Sequence, residues 1–176
     1  MSKSLRMKRE IRRTVEDEPA EVTGGKGAAG VDLGNLPDLI GYALKRTQLA
    51  VYQDFQRTFA ELNIRPVQYA IITVIGCNPG LKQSQLSAAL EIKRANIVAL
   101  LDELEERGLA TRSPVASDRR SYALHLTEKG AALLKRLQEL SVDEERRLAS
   151  RIGQKERAQL LVLLRGVRDA ADQSDS

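Results

Sequence analysis

Residues 82–126 read KQSQLSAALEIKRANIVALLDELEERGLATRSPVASDRRSYALHL, and a change of period within this stretch decides the fold. Its opening segment is polar in front, at Gln83, Ser84 and Gln85, and apolar behind, at Leu86, Ala89 and Leu90. A brief turn leads to a second helical segment, in which Ile97, Leu100, Leu101 and Leu104 make one stripe and Gly108 supplies the C-cap. Two short helices joined this tightly predict a helix-turn-helix. After Gly108 the period drops to two. Leu109 to Ser113 reads as extended, Pro114 to Arg120 as a turn, and Ser121 to Leu126 alternates with Tyr122, Leu124 and Leu126 on one face. The hairpin so formed is a wing beside the helix pair.

Upstream, Leu36, Ile40, Ala43, Leu44, Thr47, Ala50, Val51, Phe55, Phe59 and Leu62 recur at three- and four-residue steps and predict one long amphipathic helix over 35–62. Asn63 and Pro66 end it. A short, mostly buried helix follows, carrying Tyr69, Ala70, Ile72, Thr73 and Ile75 to the breaker Cys-Asn-Pro-Gly at 77–80. Downstream, Thr127 is an N-cap for a helix with the stripe Ala131, Leu134, Leu137 and Leu140, which fades into the charged segment 143–147. Gly153 breaks or caps that helix, and Leu160, Leu163, Leu164, Val167 and Ala171 mark a last one. Residues 1–34 differ in kind. They are basic, with Lys3, Arg6, Lys8, Arg9, Arg12 and Arg13, and become Gly-rich at 23–30, so they read as a flexible arm. The arm is either a leader without function or a contact to nucleic-acid phosphates.

The expected fold is therefore mainly α with a small two- or three-stranded β-wing: a winged helix-turn-helix over 63–126, between helices at 35–62 and 127–173. A length of 176 residues allows one domain with a tail, and 42% hydrophobic against 3% aromatic residues suits a Leu/Ala-rich helical protein. The formal charge of +4 is compatible with nucleic acid without being diagnostic. One cysteine, Cys77, excludes an intrachain disulfide; with the single histidine, His125, it leaves no material for a His/Cys metal site or a Cys–His nucleophile. No apolar run has membrane-spanning length, and the basic start lacks the apolar region of a secretory signal, so a cytoplasmic protein is expected. Gly25-Lys26 lacks the GK[ST] of a phosphate loop. Without that loop, paired carboxylates or a nucleophile–base arrangement, neither an enzyme nor a bound cofactor is expected.

The chemistry points instead to double-stranded DNA. With its apolar stripe turned inward, the second motif helix presents Lys93, Arg94, Ala95 and Asn96 in its first turn. Arginine can bond guanine O6 and N7, asparagine can bond adenine N6 and N7, and a small alanine can touch a thymine methyl. Asp102, Glu103, Glu105 and Glu106 would repel phosphates, so only the N-terminal half suits a groove. In the wing turn, Arg119 and Arg120 project beside Asp118, which can orient a guanidinium aimed into a narrow minor groove. Arg112 at the wing base, with Ser84 and Gln85, reads as a phosphate contact.

Pro79 to Gly130, above all LDELEERGL at 101–109, SDRR at 117–120 and LTEKG at 126–130, closely resembles the MarR family of winged-helix transcriptional regulators. Looser similarity runs from Leu36 to Ala171. The resemblance implies an interlocked homodimer, with each recognition helix in a major groove and each wing in a minor groove. Apolar stripes on the first and last helices, too extensive for one chain to cover, agree with a dimer. Two-fold symmetry then predicts a pseudo-palindromic operator. The resemblance also implies a repressor released by a small anionic aromatic effector, an aromatic acid or acyl-CoA thioester. Tyr42, Arg46, Tyr52 and Tyr69 are the candidate contacts for that effector. Two positions depart from the family: Ser87 stands for the usual Ala, and Glu91 for the usual Gly of the turn, where a positive φ is required. The alternatives are a winged-helix protein-interaction module and a thiol redox sensor using Cys77, although the peroxide-sensing branch keeps its cysteine in the first helix.

Overall fold

The computed structural model describes residues 30–115 and 118–173. The chain divides into two units, Met1–Val51 and Tyr52–Ser176. Residues 1–29 of the predicted arm, and Ala116 and Ser117 of the predicted wing turn, lie outside the described residues.

In the first unit, a 3-10 turn at Leu36–Asp38 begins on Pro37, whose fixed φ suits a helix start, and closes through the Leu39 N–H to the Leu36 carbonyl. Helix α1, Ile40–Thr58, follows. The single helix expected over 35–62 is therefore shorter, with a second 3-10 turn at Ala60–Leu62 ending on left-handed Asn63, φ 47°. Among the described residues of the first unit none is buried; Leu36, Leu39, Ile40, Leu44, Leu49 and Val51 are exposed.

The core belongs to the second unit. Helix α2, Pro66–Cys77, starts on Pro66 and buries Ile71, Ile72 and Ile75. Strand β1, Leu81–Lys82, then leads into helices α3, Gln83–Ala89, and α4, Arg94–Glu106, with strands β2, Ala110–Val115, and β3, Asp118–Leu126, completing the wing. The sheet is antiparallel in the order β1-β3-β2. β1 is too short to show a period, which is why it escapes sequence reading. The segment read as a turn over 114–120 is mostly strand: Pro114 pairs with Tyr122 and Val115 with Asp118, across an irregularity between Pro114 and Val115. An edge strand tolerates proline because its outward face needs no ladder donor.

Helix α4 ends in a Schellman motif, with Gly108 at φ 66°, its N–H on the Glu105 carbonyl, and the Leu109 N–H on the Leu104 carbonyl. Helix α5, Glu128–Ile152, is capped by the Thr127 hydroxyl, which accepts from Gly130 N–H at 3.0 Å and donates to the Gly108 carbonyl at 2.7 Å. Gly130 is buried, and a Cβ there would overlap the Leu109 carbonyl oxygen. The LTEKG segment thus locks the long helix onto the end of α4. Gly153, φ 92°, separates α5 from helix α6, Gln154–Asp172, which buries no residue. Leu160, Leu161, Leu163 and Leu164 are exposed on α6, as are Val142 and Ile152 on α5. Among the described residues no helix is long and apolar enough to cross a membrane.

Candidate nucleic-acid interface

The turn between α3 and α4 determines where the second helix points. Leu86 of α3 and Ile97, Leu101 and Leu104 of α4 share the core, fixing the buried faces of both helices. Glu91, at the turn position where the resemblance led to an expected Gly, takes φ 54°. The left-handed region is unfavourable for a side chain with a Cβ. Ser87 secures this turn: its hydroxyl donates to the Ile92 carbonyl at 2.6 Å, while the Ile92 N–H bonds back to the Ser87 carbonyl at 3.1 Å. Ser87 and Glu91 thus act at one turn, the hydroxyl holding what the glutamate strains.

With that turn set, Lys93, Arg94, Ala95 and Asn96 are all exposed, and no hydrogen bond or ion pair engages their side chains among the described residues. Arg94 lines a cleft of about 250 Å³ with Lys82, Gln83, Ser84, Val98, Arg112 and Tyr122, a lining with no carboxylate. Ser84 and Gln85 are exposed at the start of α3, and Gln85 accepts the Lys82 N–H at 2.9 Å, tying its carbonyl oxygen to the helix start. Lys82, Gln83, Val98 and Tyr122 were not picked out by sequence reading. Val98 had a legible signal, because it falls between the members of the buried stripe.

Arg112 is placed differently from a phosphate contact awaiting a partner. Its Nε donates to Glu105 Oε2 at 2.8 Å, its backbone N–H to Glu105 Oε1 at 2.8 Å, and its Nη2 pairs with both Glu105 and Asp102. The bond to Glu105, against an opposing desolvation, leads the causes that hold this guanidinium above its ordinary pKa. Two acids therefore offset its charge, and it braces β2 against α4. Glu103 and the C-cap residue Arg107 are engaged as well. Glu103 pairs with Arg65 and accepts from Gln68 at 2.9 Å, and Arg107 donates to the carbonyls of Asn63, at 2.9 Å, and Leu62, at 3.1 Å.

The backbones of Asp118, Arg119 and Arg120 belong to β3; their side chains lie outside what the structure describes. Of the effector candidates, Tyr42 and Arg46 fall in the first unit, four residues apart on α1. In the second unit, Tyr69 packs against Phe55 and Phe59, with ring centroids 6.2 and 5.8 Å away, whereas exposed Tyr52 lines a separate cleft of about 160 Å³ with Asn63 and Arg65. The structure does not bring these two tyrosines into one cavity. Cys77 is exposed at the end of α2, and His125 lines a depression with Ile75, Leu134 and Lys135.

Known proteins share this arrangement. A family model described as MarR family matches residues 62–121, the segment from the second 3-10 turn into β3. A protein of Thauera aromatica, named as a transcriptional regulatory protein for the hcr operon, is 35% identical over 75% of this chain and 80% of its own length. The chain belongs to the MarR family. As a MarR-family protein it is a winged-helix, DNA-binding transcriptional regulator. Among solved structures, the transcriptional repressor CouR bound to a 23-mer DNA duplex is 41% identical and superposes with a TM-score of 0.76, over 78% of this chain and 98% of its own. CouR bound to p-coumaroyl-CoA is 38% identical with a TM-score of 0.72, over 77% and 96%.

Proposed function

We propose that this MarR-family regulator is a homodimeric repressor that holds a pseudo-palindromic operator and leaves it when an aromatic acid or its CoA thioester binds. The observation that carries the reading is the start of α4, where Lys93, Arg94, Ala95 and Asn96 stand exposed, Arg94 lining a cleft without carboxylates, while every acid from Asp102 to Glu105 is engaged elsewhere. Arg94 and Asn96 read base edges there, Ala95 meets a thymine methyl, and Lys93, Ser84 and Gln85 hold register on the sugar-phosphate backbone. Arg119 or Arg120, oriented by Asp118, enters the minor groove. The exposed leucines of α6 support a dimer, since a helix that buries nothing in its own chain is explained by a second copy. A ligand favouring a half-site spacing unsuited to the operator then releases it.

The effector part is supported by CouR, solved with both DNA and p-coumaroyl-CoA. Tyr42 and Arg46 of the first unit, and Tyr52 and Tyr69 of the second, are the proposed effector contacts. Native mass spectrometry of the protein from its own host tests the reading: a dimer carrying an aromatic acid or thioester is expected, and a monomer would remove the architecture. On duplexes enriched from a random library, Arg94→Ala should weaken binding by about 1–3 kcal/mol, the contribution of one bidentate base contact. Unchanged affinity would favour a protein-interaction module.

A further inference from the structure

Val98 is the one large apolar side chain that α4 leaves exposed among its described residues, at 37% of its free surface. It is not a core residue out of place, because Ile97, Leu101 and Leu104 already fill the buried face. Its position on the helix is informative. Val98 lies one turn beyond Arg94 and lines the same cleft, and one turn further on Asp102 begins the ion pairs that fasten α4 to β2. Ala95 and Ala99 beside it are also exposed, so a small apolar strip runs through an otherwise polar reading surface. A β-branched side chain on a helix keeps essentially one χ1 rotamer, which aims its methyls in a fixed direction.

The apolar group that a major groove offers to such a side chain is the 5-methyl of thymine. We propose that Val98 is a specificity-determining residue that reads a thymine methyl about two base pairs from the base bonded by Arg94. Four residues of helix advance about 6 Å, and successive base pairs along the duplex are about 3.4 Å apart, which sets that separation. The inference rests on the operator-binding reading above and adds to it a methyl group that no charged or hydrogen-bonding residue would read.

The test starts with duplexes enriched from a random library by the full chain. Each thymine of the enriched sequence is replaced singly by deoxyuridine, which removes only the methyl, and affinities are measured for the wild type, Arg94→Ala and Val98→Ala. In the wild type, besides any thymine met by Ala95, deoxyuridine at one further position per half-site should weaken binding about fourfold, the effect of one buried methyl. Val98→Ala should bind thymine and deoxyuridine at that position equally, at the weakened level, while melting at the wild-type temperature. A flat deoxyuridine scan in the wild type, or a set of penalties that all persist in Val98→Ala, overturns the proposal. So does an enriched sequence with no thymine within about three base pairs of the Arg94-dependent position. Enrichment that depends on Arg94 with a flat scan removes Val98 alone; no enrichment at all removes the operator reading and Val98 with it.

Discussion

At the scale of single residues, two side chains are held against their preference. Glu91 occupies the left-handed region at φ 54°, a conformation glycine adopts freely. Relief of that strain exceeds the entropy lost by loosening the unfolded chain, so Glu91→Gly should stabilise the protein by about 1 kcal/mol, read by urea titration. A loss of stability would show that the glutamate side chain is itself needed in the turn. Glu144 of α5 is buried, at 8% exposure, and its Oε1 has no hydrogen-bond partner. Burial, and next the neighbouring Asp54, raise its pKa, with Glu145 adding to the rise and Arg147 opposing it. The unfolded chain gives up this proton at lower pH than the folded chain. Between the ordinary carboxylate range and the raised value the folded state therefore binds more protons, and stability falls as pH rises. Glu144→Gln should remove that fall and be the more stable form at neutral pH; parallel stability–pH curves for the two proteins would refute this.

At the scale of elements, α4 is divided. Its C-terminal half is fastened by Arg65 from before α2, by its own C-cap residue Arg107, and by Arg112 from the wing. Arg112→Met should therefore destabilise the winged unit, by about 1–3 kcal/mol for carboxylates left without their partner. If Arg112 were chiefly a phosphate contact, the substitution would leave stability unchanged and lower the salt dependence of DNA binding instead. The stripes of α2, α4 and α5 were legible because apolar spacing records which face is buried, and Thr127 and Gly108 were legible because caps require particular residue types. The partners of Asp102, Glu103 and Glu105 were not, since an acid on a helix reads as solvated until the element opposite is in place. For the same reason the acids facing Arg112 and the rings facing Tyr69 could not be read from the sequence.

At the scale of the whole molecule, the exposed leucines of α6 are a cost that a single chain bears in water. Leu163→Asp is expected to convert dimer to monomer in sedimentation and to weaken operator binding by about 100-fold or more, because joining two half-site contacts on one body raises affinity by that order. A dimer that survives the substitution would place the self-contact elsewhere.

The split within α4 also bears on how such a regulator changes over evolutionary time. Residues 93–96 and Val98 take no part in the ion pairs that hold the helix, whereas Asp102, Glu103 and Glu105 carry them and Arg107 adds hydrogen bonds to the carbonyls of Leu62 and Asn63. On the proposed reading of the operator, substitutions in the first group alter which sequence is recognised without weakening the fold. A duplicated copy of this gene could thus drift to a new target through intermediates that all remain folded.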